Sequence, residues 1–167
     1  MADRILRIAQ FVTIVLFALV MGVFWGTWFS LSRSITAITP QTFLEVGHLM
    51  ITNLGGPMSV LMPGALLASA VVMVLLFRRG RDGAFYLTLI GLLLMAAALV
   101  VTLTVNVPID YEINEWTRNT LPPDWTVLRE RWQFYHTVRT FASIASLGFV
   151  VAGAMRVASM PSALAKV

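Results

Sequence analysis

The sequence contains no cysteine, which excludes disulfides, thiolate metal ligands and cysteine nucleophiles. Charge is scarce as well: Asp, Glu, Lys and Arg make up 12% of the 167 residues, against 58% apolar ones. A soluble domain carries about twice that charge fraction, so the composition points to one integral membrane domain. No internal repeat, low-complexity tract, glycine-rich phosphate loop or metalloprotease helix motif is present. The net charge of +4 does not imply nucleic acid, because the basic residues cluster beside hydrophobic runs, where they answer to anionic lipid and to topology.

What is present is long hydrophobic runs. A helix needs roughly 20 apolar residues to cross the hydrocarbon core, since lipid satisfies no open backbone group. Four runs qualify, at about residues 8–30, 60–77, 84–105 and 134–157. The first is too long for a removable signal peptide and has no small-residue cleavage site, so it is expected to stay. The fold expected is an all-α four-helix transmembrane bundle with two outward-facing polar loops, the first containing a short helix. Arg4 and Arg7, then Arg78, Arg79 and Arg81, then Arg156 and Lys166 fall on one side of such a bundle. Positive charge marks the cytoplasmic side, so both termini are expected inside, most simply in a bacterial inner membrane.

Local signals divide the loops. Phe24, Trp25, Trp28 and Phe29 close the first run as an interfacial aromatic cluster, and Gly22 and Gly26 offer a face for close helix approach. Thr39 and Pro40 read as an N-cap and first-turn proline for a short helix from about Gln41 to Asn53, stopped by Gly55-Gly56-Pro57. Glu45, His48 and Thr52 share one face of it. Pro63 is expected to kink the second span. Pro108 is expected to end the third span, leaving Asn106 to Asp110 as an extended turn. Leu121-Pro122-Pro123 makes a second stop, with Asp124 capping the final helix.

Polar chemistry concentrates between Asn106 and Arg139. This stretch holds five of the eight acidic residues, three of the five tryptophans and one of the two histidines. Trp132, His136, Arg139 and Ser143 fall on one helical stripe at i, i+4, i+7 and i+11. Arg139 lies about a turn inside the fourth run, where a charge costs about 2.5–3.5 kcal/mol at mid-membrane and less near the end. It is expected to face inward and pair with Asp110 or Glu112 rather than snorkel to headgroups.

Asn106-Val107-Pro108-Ile109, a tryptophan-bearing segment, then Trp132 with His136-Thr137-Val138-Arg139 resemble the small four-span membrane proteins whose characterised members are anthrone oxygenases. Gly22-Val23-Phe24-Trp25-Gly26 is similar to that family too. The resemblance implies oxidation of an anthrone, or a related activated polycyclic phenol, to the quinone by molecular oxygen with no organic cofactor. It carries Asn106, Asp110, Trp132, His136 and Arg139 over as site positions. The family commonly has an asparagine where this chain has Asp110.

Such chemistry needs a base to remove an acidified benzylic proton, a donor for the developing oxyanion, and aromatic walls. His136 or Asp110 suits the first task and Arg139 or Asn106 the second. Trp116 and Trp132 suit the third, with Glu112 and His48 as further substrate contacts. A metal-dependent version would use His48 and His136 with Asp110 or Glu112 as a two-histidine, one-carboxylate site for a single iron ion. Met50, Met58 and Met62 leave copper open, and two histidines leave haem open. The bland version makes His48 a hydrogen-bonding loop residue, the tryptophans membrane anchors and Arg129-Glu130-Arg131 a solvated helix face. The protein is then an accessory subunit or small-molecule carrier. Expected partners are membrane lipids and a hydrophobic small-molecule substrate, without nucleic acid, and a homo-oligomer stays open.

Overall fold

A computed structural model describes residues 2–32 and 34–159, so Lys166, placed above with the basic residues of one side, lies outside the described residues. Helix α1 spans Ala2–Thr27 and runs into a π-helical turn, Trp28–Ser32. Then come α2 (Pro40–Arg79), α3 (Gly83–Val101), a second π-helical turn (Thr102–Asn106), α4 (Val107–Glu115) and α5 (Trp125–Ala158). Four helical stretches are long and apolar enough to cross a membrane, Asp3–Ser32, Pro40–Arg79, Gly83–Glu115 and Trp125–Ala158, and the described residues contain no strand. The described residues form a helical bundle whose four long apolar helices are consistent with an integral membrane protein.

Two boundaries differ from the sequence expectation. The short helix of the first loop is not a separate element: Gly55, Gly56 and Pro57 lie inside a continuous 40-residue α2, together with Pro63. At about 1.5 Å per residue α2 is roughly 60 Å long, twice the hydrocarbon thickness, so its first half rises beside the outer loops. Its start is as expected, since the Thr39 hydroxyl accepts from the Thr42 amide at 3.2 Å and Pro40 occupies the first turn. Pro108 likewise does not release an extended turn. It sits at the start of α4, where a proline's missing N–H costs least, and the preceding π-helical turn carries the shift of register, with the Val107 amide bonding back to the Thr102 carbonyl. Asp124 does precede α5, but its side chain makes no cap bond.

The helices form a four-sided ring in which α1 contacts α2 and α5, and α3 contacts α2 and α5, the last pair most extensively. Three apolar clusters stack along it. One end holds Leu6, Val72, Leu76, Ala84 and Val157, and there Arg79 pairs with Asp3 at 2.9 Å. The basic groups of both helix ends and the intervening turn therefore do share one side. The middle cluster is centred on Phe17, Phe24, Met62 and Met95, and the third on Ile35, Phe43, Ile109 and Ile113.

Close approach comes from different glycines than Gly22 and Gly26. A Cβ added at either of those meets nothing within 4 Å, because neither faces a neighbouring backbone. A Cβ on Gly91 would lie 2.6 Å from Val150 Cγ2 and 2.9 Å from the Ser146 carbonyl oxygen, and one on Gly153 would lie 2.7 Å from Thr88 Oγ1. The Ser146 hydroxyl donates to the Gly91 carbonyl at 2.6 Å across this seam. Small residues let the α3 and α5 backbones meet where lipid supplies no hydrophobic drive between helices. Gly91→Ala is therefore expected to destabilise by about 1–3 kcal/mol despite alanine's better helix propensity, while Gly22→Ala is neutral or mildly stabilising. Reversible unfolding in mixed micelles checks this, and equal effects at both positions would contradict the seam.

Candidate active site

Between the middle and outer clusters the ring does not close. A cavity of about 490 Å³ runs from Phe24, Met62 and Leu99 up to Ile35, Phe43 and Ile113, in the size range of small-molecule sites. Its wall is mostly apolar, with Met50, Met58 and Met62 on α2. Polar atoms converge on one side, from Thr102, Asp110, Arg129, Trp132, His136 and Arg139. Several edge residues are exposed, Gly55, Ser59 and Pro63 on α2 and Leu103 and Tyr111 on the α3–α4 side. The last two are 57% and 70% exposed, so the cavity meets the outside between these helices, at the membrane-facing surface.

The inner polar group is built by α5 and by the second π-helical turn. Trp132, His136 and Arg139 share a face of α5 by their spacing. The Trp132 and His136 rings stack at 4.8 Å with 19° between planes, and Phe24 meets His136 edge-on at 6.1 Å. Arg139 Nε donates to His136 Nδ1 at 3.1 Å, and its Nη1 donates to Thr102 Oγ1 at 3.1 Å. Its guanidinium carbon lies 4.6 Å from the Phe24 ring centre and 5.8 Å from that of Trp132. A guanidinium can only donate, so Nδ1 accepts and the neutral imidazole carries its proton on Nε2. His136 is 1% exposed, and its Nε2 has no hydrogen-bond partner among the described residues. The ring lines the cavity with that N–H unspent.

Arg139 thus faces inward as expected, and Asp110 is the carboxylate whose charge it interacts with, though not in direct contact. Among the described residues it makes no ion pair: Asp110 instead accepts from Trp132 Nε1 at 2.7 Å, and Glu112 is exposed outside the cavity. The reason is helical geometry, since α4 turns Asp110 toward the bundle and Glu112, two residues on, away from it. Two ring faces and two charge-assisted bonds, at about 1–3 kcal/mol each, offset the desolvation that a carboxylate would otherwise offset.

Other expected site residues go elsewhere. Asn106 is fully buried outside the cavity and spends its amide on the Trp132 carbonyl at 3.1 Å, tying the π-helical turn to α5. The bland reading of His48 holds: its Nε2 bonds the Ile113 carbonyl at 2.9 Å, and Glu45 on the same face meets Arg118 at 3.2 Å, so the stripe fastens α2 to α4 and the second loop. Trp116 packs against the outer cluster and does not line the cavity. Among the described residues no three of His, Cys, Asp and Glu come close enough to hold a metal ion, and of the expected ligand set only Asp110 and His136 face the cavity.

Arg129 is the residue that sequence reading misplaced. It is buried at 7% exposure and lines the cavity, with its guanidinium carbon 5.0 Å from the Trp125 ring centre. The signal was there, because Arg129, Trp132, His136 and Arg139 fall at i, i+3, i+7 and i+10.

A family model for anthrone oxygenase matches residues 54–149, more than half of the chain. The chain belongs to the anthrone oxygenase family. The match takes in every polar cavity residue named above, from Thr102 to Arg139, while Phe24 and His48 lie outside it. No curated relative and no solved structure matches the chain at a significant level. In this member of the family, Arg139 without an ion-pair partner leads to a test. Arg139→Met is expected to lower unfolding free energy by less than about 3 kcal/mol, since Asp110 lies beyond ion-pair distance and keeps its Trp132 bond. A loss above about 3 kcal/mol, measured by unfolding in micelles, is the mark of a buried ion pair and would contradict this geometry.

Proposed function

We propose that this protein is a membrane-embedded oxygenase that oxidises a lipophilic anthrone, or a similarly activated aromatic, with molecular oxygen in the cavity below its outer loops. The observation that carries this reading is the set of a carboxylate, an available imidazole N–H and a guanidinium in one apolar cavity, in a chain of the anthrone oxygenase family. The shared side of the basic residues supports an orientation with both termini in the cytoplasm and the cavity toward the outer half of the membrane.

An anthrone's CH₂ lies between two aromatic rings and opposite a ketone, so its anion is delocalised onto the ketone oxygen. Among the described residues Asp110 is the only carboxylate lining the cavity, and it takes the proton; an amide at this position would provide no base. The Trp132 N–H fixes one of its oxygens and leaves the other for the substrate. His136 Nε2–H and Arg139 supply donors and positive charge for the enolate oxygen, in a site where low dielectric makes them count. The electron-rich carbon then reduces oxygen and forms a C–O bond as a hydroperoxide. Loss of the second C–H proton with cleavage of the O–O bond gives the new carbonyl and water, so one substrate and one O₂ yield one quinone and one H₂O. No organic cofactor enters this balance. Substrate arrives from the bilayer through the gap beside Leu103 and Tyr111, which suits a ligand that partitions into lipid.

Purified protein is expected to consume oxygen and form anthraquinone one for one when given anthrone. Asp110→Asn should lower kcat by about 10²–10⁴-fold and His136→Ala by about 10²–10³-fold. Wild-type rates in both variants would remove the assigned roles. Elemental analysis separates the metal-dependent version: iron or copper near one per chain, lost in both His48→Ala and His136→Ala, would replace this mechanism with one routed through a metal.

A further inference from the structure

The cavity wall is not neutral. Its charged residues are Asp110, Arg139 and Arg129, so with a neutral His136 the lining carries one positive charge in excess. The enolate chemistry above uses Arg139 and Asp110 and leaves Arg129 without a task. Arg129 is nearly as buried as Arg139 but far less well satisfied. Its Nε has no hydrogen-bond partner, and its one ion pair among the described residues is a 3.4 Å contact with Glu130, a largely exposed neighbour. An unanswered buried guanidinium is costly, and a cavity that keeps one has a use for an anion.

Its placement names the kind of anion. Arg129 and Arg139 are ten residues apart on α5, roughly 15 Å along the helix, with the Trp132 and His136 rings between them on the same face. Each cation lies against a tryptophan, Arg129 over Trp125 and Arg139 near Trp132, so each end of the cavity pairs an aromatic surface with a donor fork. Arg129 also lies toward the outer cluster, where Trp125 packs on Phe43 at 4.9 Å. A planar guanidinium takes carboxylate and phosphate alike in two-point geometry, and of the two the singly charged carboxylate matches a lining with one positive charge in excess.

We propose that Arg129 is a specificity residue for a carboxylate at the far end of an extended aromatic ligand, so that the preferred substrate class is a polycyclic aromatic acid and not a neutral polycycle. This rests on the oxygenase reading only for the position of the inner end, and binding tests it without turnover. Detergent-purified wild type is titrated with anthraquinone-2-carboxylate and with 2-methylanthraquinone, following tryptophan fluorescence. The carboxylate is expected to bind at least tenfold more tightly. In Arg129→Gln that ratio should fall to near one through weaker carboxylate binding, and Arg129→Lys should keep part of it. An exposed control, Arg118→Gln, should keep all of it. A wild-type ratio at or below one overturns the proposal even if Arg129→Gln does not fold, and so does an Arg129→Gln protein that keeps the wild-type preference. Tenfold carboxylate preference with no oxidation of any anthrone would retain this subsite and sink the oxygenase reading, whereas anthrone oxidation without the preference would do the reverse.

Discussion

A guanidinium held inside the helical bundle with no carboxylate in direct contact is the constraint on which the rest of the site depends. Arg139 is answered by an imidazole nitrogen, a threonine hydroxyl and two aromatic faces. Those groups are delivered by three elements: Phe24 by α1, Thr102 by the π-helical turn after α3, His136 and Trp132 by α5. In return the arginine sets the imidazole tautomer, and the tautomer decides that His136 offers the cavity a donor rather than a base. The proton acceptor must then come from elsewhere, and Asp110, turned inward by α4 and held by Trp132, is the carboxylate that faces the same space.

The bundle makes room for this by packing unevenly. α3 and α5 close on each other through Gly91 and Gly153, which fixes the stripe of α5 against the π-helical turn. α2 instead runs past the membrane thickness and is fastened at its outer half by His48 and Glu45, so its middle stands away from α3 and α4. The opening left beside Leu103 and Tyr111 is the geometric counterpart of a ligand that lives in lipid.

The spans, the common side of the basic residues and the stripe from Trp132 to Arg139 could be read from the sequence, because periodicity and length of apolar runs are local properties. The first-loop helix and the Pro108 turn could not. Proline and glycine weaken a helix by amounts that packing and a π-helical shift of register absorb, and both depend on neighbours that are remote in sequence. The donor that Asp110 takes was not legible for the same reason: spacing along α4 shows that Asp110 and Glu112 point apart, but only tertiary placement decides that Asp110 bonds Trp132 and meets Arg139 through charge alone. Arg129 was assigned to solvent because it opens the charge run Arg129-Glu130-Arg131, whose other two members are exposed, though its register on α5 already put it with His136.

The central claim is that the cavity ionises its ligand at Asp110 and holds the anion at His136 and Arg139. Anaerobic titration of the purified protein with 1,8-dihydroxyanthrone, followed by absorption, tests this apart from oxygen chemistry. The account predicts a long-wavelength enolate band that saturates with bound ligand at neutral pH and is absent in Asp110→Asn. Binding that leaves the spectrum that of the neutral ketone, in wild type, would contradict it.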